Sequence, residues 1–328
     1  MWENSSLKII EFQGVLLMID VSPKFNSLRY ALAEGYLYGK QATLKKVFDK
    51  TVPKGDVTEV ARAAGIFAAK RCADWITFCH PIPLDWVEVK LEAKKNKIKV
   101  TAEVRSVWKT GVEMEAITAV SAALLNAYDM LKPLDDSLSF GDIRVVNKKG
   151  GKSDFSNSFK KKIKAAILVM SDSTYAGKRT DKSGKIIEEF LADKPVKIDF
   201  FEVLPDDREI IAERLCSLVD KEKVKLIFTT GGTGLGPRDV TPEATLTVID
   251  RAVPGIVEAI RSHGRDRTPF SMLSRGEAGV RGDSLIINLP GSSKGAIESL
   301  QALFPGLLHI FPMMQGKGHG KIKKDKKK

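Results

Sequence analysis

Between residues 56 and 75, apolar side chains recur at helical spacing, with Val57, Val60, Ala61, Ala64 and Ala68 on one stripe, which predicts an amphipathic helix. Residues 84–93 and 97–107 then alternate apolar and polar positions. The polar turn Lys94-Lys95-Asn96 between them predicts a hairpin. A second helical stretch at 112–131 and a short strand at 140–146 follow. Paired strands beside two long helices predict an α+β, ferredoxin-like N-terminal domain. The rhythm changes near residue 160. Apolar runs at 165–170, 225–230 and 284–290 each end in small polar residues or glycines. Helical patterns at 183–192, 207–220, 242–251, 254–262 and 295–304 separate or follow them. Continuous apolar strands alternating with helices predict an α/β three-layer domain with a mainly parallel sheet. The expected organisation is a first domain over 1–155, a basic linker at 156–163, a second domain over 164–314 and a lysine-rich tail at 315–328.

Composition narrows the function classes. The 328 residues are 43% hydrophobic and 29% charged, as in a globular protein with enough chain for two cores. No run of about 18 apolar residues predicts a membrane span, and the N-terminus lacks the pattern of a secretory signal. Cys72, Cys79 and Cys216 form no CxxC pair and no zinc-type spacing, so a reduced cytoplasmic setting is expected. The net charge of +12 raises the question of nucleic acid. Residues 316–328 hold seven lysines and one aspartate, and Lys160, Lys161, Lys162 and Lys164 add four more positive charges. Ten of the twelve excess charges thus lie in a linker and a tail, and no nucleic-acid footprint is expected on the body.

Candidate chemistry comes from two places. The string Thr229-Thr-Gly-Gly-Thr-Gly-Leu-Gly-Pro-Arg-Asp-Val-Thr-Pro-Glu runs from the end of a strand into a helix. Its glycines allow close backbone approach, and Thr241-Pro242-Glu243 reads as an N-cap and first turn. Such a loop binds anions through free N–H groups. It contains neither a P-loop GKS/GKT nor GxGxxG spacing. Asp239, next to Arg238 in the loop, suits a magnesium or ligand-amine contact beside a phosphate contact. In the first domain, Lys54, Lys70, His80, Glu115, Asp129, Lys132 and Lys152 recur beside glycine or proline breaks, a composition suited to a multiply phosphorylated substrate. Glu115 and Asp129 lie fourteen residues apart on one predicted helix, about 21 Å along its axis. Either they serve opposite ends of a long pocket, or a second subunit completes each site, which is the reading favoured. Glu113 and Glu115 point about 200° apart, so one of them is expected to be structural.

Strings from both halves carry family resemblances. In the second half, SDS at 171–173, LPDD at 204–207, the 229–245 loop, PG at 254–255 and LSRGEAGVRGDSLIINLPGSSKG at 273–295 resemble the molybdopterin adenylyltransferase family (MogA/MoaB). That resemblance implies adenylylation of molybdopterin with ATP and Mg2+. It assigns chemistry to Asp206 and Asp239, with Asp239 as a magnesium ligand. Pterin or phosphate contacts fall to Gly231, Gly232, Thr233, Gly234, Ser292 and Ser293. Some members of that family are weak or inactive enzymes, which leaves a non-catalytic molybdopterin-binding scaffold as the alternative. In the first half, MIDVS at 18–22, KGDV, AGIFAAKR, CHP, TGVEMEAITAVSAALL, YDM and GGKS resemble cyclic pyranopterin monophosphate synthase (MoaC family). The resemblance implies conversion of 3′,8-cyclo-7,8-dihydroguanosine 5′-triphosphate to cyclic pyranopterin monophosphate, with loss of pyrophosphate and no redox cofactor. It makes Asp129 the acid/base residue, supported by Lys54, His80 and Lys132. Phe78, Cys79, His80, Met114 and Glu115 would line the substrate, and Lys54, Lys70, Lys132 and Lys152 would surround its phosphates. A homo-oligomer, trimer or hexamer, is implied as well.

Overall fold

The computed structural model describes residues 18–151, 154, 159, 161–304 and 306–316. They fall into two compact units, one within 10–155 and the other within 156–328. In the first, β1 (Ser27–Tyr38), β2 (Trp86–Lys94), β3 (Lys97–Trp108) and β4 (Ser139–Lys149) form an antiparallel sheet in the order β2-β3-β1-β4. That order is the expected ferredoxin-like one. Helices α1 (Gln41–Phe48), α2 (Val57–Lys70) and α3 (Glu113–Leu131) supply the rest of the core. Strand β1 and helix α1 were not among the predicted elements. The β1 string SLRYALAEGYLY carries alanines, a glutamate and a glycine where a strand usually carries branched side chains. Gly35 sits there because a Cβ would stand 2.8 Å from the Val120 and Leu124 side chains of α3.

Helix α2 starts where Asp56 accepts hydrogen bonds from the Thr58 and Glu59 N–H groups, capping two free donors. Its buried row is Val57, Ala61, Gly65 and Ala69. Val60, expected on the buried stripe, is exposed. The buried row is nearly all small because α2 lies close against α3: a Cβ on Gly65 would stand 2.8 Å from the Ala119 carbonyl oxygen. Cys72 of the 3-10 turn after α2 reaches Thr118, in the second turn of α3, and Lys54, just before α2, reaches Asp129 near the end of α3. The two helices therefore run antiparallel.

The second unit is built on a six-stranded sheet, order β6-β5-β7-β10-β9-β8. Its strands are β5 (Ile163–Met170), β6 (Val196–Leu204), β7 (Leu226–Thr230), β8 (Arg251–Ala252), β9 (Ala278–Arg281) and β10 (Ser284–Leu289). The β6, β5, β7 and β10 pairings are parallel, while β9 pairs antiparallel with β10 and β8 with β9. Chain order gives α4 (Asp172–Tyr175), α5 (Ser183–Leu191), α6 (Arg208–Asp220), α7 (Thr241–Val248), α8 (Pro254–Arg265), α9 (Ser293–Leu303) and α10 (Ile310–Met314). Side chains of α5, α8 and α9 cover one sheet face, and those of α6 and α7 cover the other, giving the expected three layers. Helix α7 ends at Val248 rather than 251, because Arg251 and Ala252 join the sheet edge opposite Val280 and Gly279.

A buried polar knot lies beneath the glycine loop. Asn288 of β10 is 2% exposed; its side-chain amide donates to Thr229 Oγ1 at 2.9 Å and Thr245 Oγ1 at 2.8 Å. Its side-chain oxygen accepts the Glu277 N–H at 3.0 Å. No helix among the described residues is long and apolar enough to cross a membrane.

Candidate functional site

In the first unit, the antiparallel α2/α3 pair sorts the sequence-selected residues into two groups. At one end, the Lys54 ammonium donates to the Asp129 carbonyl oxygen (2.9 Å) and carboxylate (3.1 Å), and Lys132 meets the other carboxylate oxygen at 2.8 Å. All three side chains are roughly half exposed, so the group is open to a ligand. The Lys132 and Lys54 cations hold the Asp129 carboxyl below its usual range, and the carboxylate raises Lys132 in turn.

At the other end, Glu115 is 2% exposed in the first turn of α3. One of its oxygens accepts the Cys79 thiol at 3.4 Å, and the other, Oε2, is buried with no hydrogen-bond partner among the described residues. Burial pushes the Glu115 carboxyl upward. Burial, reinforced by the nearby Glu115 charge, does the same to the Cys79 thiol. The neighbouring His80 hydrogen-bonds the Ile19 carbonyl through Nε2 at 2.8 Å. Phe78 and Met114 are exposed on either side of these residues in sequence. Lys70, at the end of α2, is exposed. Glu113 is paired with Lys148 at 3.0 Å, whereas Glu115 is buried. Fourteen residues of α3 separate Glu115 from Asp129, about 21 Å of helix, so one chain does not bring the two groups together. Lys152 lies outside the described residues. Asp154 accepts the Gly150 N–H at 2.7 Å.

Sequence reasoning passed over Cys72. Its sulfur lies 3.7 Å from Cys79 Sγ and 3.4 Å from Thr118 Oγ1. The scattered cysteine spacing concealed a cluster, because Cys72, Cys79 and Glu115 place ligand atoms within 4.8 Å of one another.

In the second unit, the glycine loop leaves β7 at the point where the chain reverses its direction of travel across the sheet, between β5 and β7. Open α/β sheets bind ligands outside the strand ends at such a point. A cavity of about 270 Å³ lies there, lined among others by Ser171, Arg179, Lys182, Gly231, Ser292 and Ser293. Gly231 and Gly232 adopt φ of 99° and 63°, in the left-handed region that favours glycine. A Cβ on Gly231 would stand 2.3 Å from the Met170 carbonyl oxygen, and one on Gly232 2.3 Å from Thr241 Oγ1 and 3.0 Å from Asp206 Oδ1. Thr241 is not the N-cap expected from its sequence: it is the first residue of α7, and its hydroxyl donates to the Gly231 carbonyl at 3.0 Å. Ser292 does cap a helix, accepting the Gly295 N–H at the start of α9.

Three aspartates gather near this loop. Asp172 and Asp206 exchange hydrogen bonds, each carboxylate accepting the other's backbone N–H at 3.0 and 3.1 Å. Arg238 donates to both Asp172 oxygens, and with the Asp206 N–H it keeps that carboxyl low. Asp206 behaves oppositely: its Oδ1 is buried with no hydrogen-bond partner among the described residues, and burial, followed by the Asp172 and Asp239 charges, pushes its pKa up. Asp239 accepts the Gly236 N–H at 2.8 Å, while the Arg238 guanidinium is engaged by Asp172. Arg275, absent from the sequence-selected set, stitches this region together. It donates to the Gly234 carbonyl at 2.6 Å, the Asp239 carbonyl at 2.5 Å and the Glu243 carboxylate.

The unpartnered Asp206 oxygen is suited to a hard cation, and Mg2+ is commonly held by one or two carboxylates together with substrate phosphates. Asp206 would be its protein ligand. Asp239 would join it by exchanging its Gly236 contact.

Comparison with known proteins covers nearly the whole chain. The MoaC family profile matches residues 18–151, and the profile of a probable molybdopterin binding domain matches residues 166–309. The chain is similar to a molybdenum cofactor biosynthesis bifunctional protein of Chlorobaculum tepidum, 38% identical over 310 residues, covering 94% of this chain and 98% of that protein. It is also similar to a protein of the same description from Synechococcus elongatus, 37% identical over 319 residues, covering 93% of this chain and 100% of the other. Over 47% of its length it is 46% identical to cyclic pyranopterin monophosphate synthase of Roseiflexus sp., covering 99% of that protein.

Proposed function

From the premise that this chain belongs to the family of bifunctional molybdenum cofactor biosynthesis proteins, we propose that its two units catalyse two separate reactions. The first converts 3′,8-cyclo-7,8-dihydroguanosine 5′-triphosphate to cyclic pyranopterin monophosphate, releasing pyrophosphate. The second adenylylates molybdopterin with ATP, also releasing pyrophosphate. The observation that carries the first is the exposed Lys54–Asp129–Lys132 group. Two ammonium groups hold a carboxylate ionised, and an arriving triphosphate competes for both. As the lysines turn to phosphate, Asp129 loses its cations, its pKa rises and it becomes a better proton acceptor. Lys70 and Lys152 add charge for the phosphates. At the far end of α3, Phe78, Cys79, His80, Met114 and Glu115 receive the ring system, with burial pushing the Glu115 carboxyl upward. Because one helix separates these ends, a second copy supplies the missing end of each pocket, in a homo-oligomer of three or six chains.

In the second unit, the Gly231–Gly234 backbone, Thr233 and the Ser292 and Ser293 hydroxyls hold pterin or phosphate groups at the end of the sheet. Asp206 and Asp239 would hold Mg2+, which when bound offsets charge on the transferring phosphate. A second reading has one observation in its favour: Asp239 is engaged as a loop cap by Gly236. On that reading the unit binds molybdopterin without turnover.

The test is direct assay of the purified full chain. Fed the cyclic GTP-derived intermediate, it should form the cyclic pterin, and Asp129→Ala should lower that rate by roughly 10²–10⁴. Mixed Asp129→Ala and Glu115→Ala oligomers should regain part of the lost activity, and no recovery in any mixture rejects the shared pocket. Absence of adenylyl transfer from ATP, with molybdopterin still bound, would leave the binding-only reading of the second unit.

A further inference from the structure

Three separate segments converge on one buried spot in the first unit: the turn after α2 brings Cys72, the loop ahead of β2 brings Cys79, and the first turn of α3 brings Glu115. The cysteines are free thiols with sulfurs 3.7 Å apart, well beyond the roughly 2.05 Å of a disulfide. Cys79 Sγ and Glu115 Oε1 are 3.4 Å apart. Two sulfurs bound at about 2.3 Å to one tetrahedral ion stand about 3.8 Å from each other, and a sulfur and a carboxylate oxygen about 3.6 Å. These two spacings are close to those of such a ligand set, and the three ligand atoms all lie within 4.8 Å of one another. A second observation points the same way: Glu115 is 2% exposed, one oxygen faces the Cys79 thiol, and the other has no hydrogen-bond partner among the described residues. A buried carboxylate oxygen without a partner is costly unless something occupies it.

We propose that Cys72, Cys79 and Glu115 form a binding site for a thiophilic divalent cation of the zinc type. Three protein ligands leave the fourth tetrahedral position to water. The two S–H protons, and the proton that burial favours on Glu115, pass to solvent as the two thiolates and the carboxylate bind. Thr118 Oγ1, 3.4 Å from Cys72 Sγ, then donates to that thiolate and fixes its direction, the usual role of an outer hydrogen bond at a metal. Cys72 has no part in the reaction assigned to this unit, whereas Cys79 and Glu115 also belong to its proposed ring-binding end, so the site is tested by metal binding alone.

The chain has three cysteines, so a spectroscopic assignment is clean. Titrating the reduced full chain with Co2+ should produce sulfur-to-cobalt charge-transfer absorption and intense visible bands of a tetrahedral ion, saturating at a single ion per chain and bleached by Zn2+. Cys72→Ala should lose these bands and Cys216→Ala should keep them, with unchanged circular dichroism in both. Glu115→Gln retains both thiols and should weaken Co2+ binding on the order of tenfold or more. The site is rejected if the parent chain gives no sulfur-to-cobalt band, if the band survives in Cys72→Ala, or if Glu115→Gln binds as tightly as the parent.

Discussion

Asp129 and Glu115 are carboxylates on one helix, and their surroundings push them in opposite directions. Asp129 sits among lysines at the exposed end and is held low; Glu115 is buried and raised. For Glu115 the folded chain keeps a proton that the unfolded chain releases. Its contribution to stability is therefore fully present below the ordinary carboxylate range and is lost as pH rises through the higher folded value. Glu115→Gln should abolish that dependence. As pH rises from the ordinary carboxylate range toward neutrality, the stability of the variant relative to the parent should grow, measured by denaturant unfolding of the first unit. A constant difference across that range would contradict the assignment. Asp135 has the opposite sign: Ser137 and the Lys40 N–H hold it down to about 2, so its contribution is present above the carboxylate range and disappears as acid approaches that value. At this scale the motif residues Lys54, Asp129 and Lys132 were legible because two of them lie three residues apart at the end of one helix and the third stands between Pro53 and Gly55, just ahead of another. Cys72, Asp172 and Arg275 were not. Each acquires its partner from a distant segment, Thr118, Asp206 and Gly234 respectively, and no local spacing announces such a meeting.

Between elements, the contact of α2 with α3 sets how the two ends of the first site are spaced. Gly65 faces the Ala119 carbonyl with no room for a side chain. Gly65→Leu should push the helices apart and destabilise the first unit by about 1–3 kcal/mol, with the second unit's thermal transition unchanged; equal loss in both units would refute this. The helices and the strongly apolar strands were readable from periodicity. β1 was not, since its small and polar residues lack a strand's usual composition. Neither was β6, whose Val-Lys-Ile-Asp-Phe-Phe string lies at the sheet edge and alternates only in part. The buried row of α2 was also shifted in the reading. Size rather than hydrophobicity selects that row, and a pattern of apolar positions does not register the difference between Val60 and Gly65.

For the molecule as a whole, two units with separate cores predict that their activities can be removed one at a time. Gly232→Ala places a methyl against Thr241 and Asp206, on a backbone at φ of 63° that disfavours side chains. It should abolish molybdopterin adenylylation or binding and leave cyclic pterin formation within about twofold of the parent, measured on the same preparation. Loss of both activities would mean that the units depend on each other. The division itself was legible from the change of rhythm near residue 160, whereas the cavity was not, because its walls come from strand ends far apart in the chain.

The knot around Asn288 has a kinetic consequence. Its side-chain donors and acceptor are all matched within the protein, joining β7, β10 and α7 at the base of the glycine turn. Any hinge motion there would break several such links at once, without water to replace them. The floor under the glycine turn is thus held in one arrangement, which slows any opening of this end of the sheet.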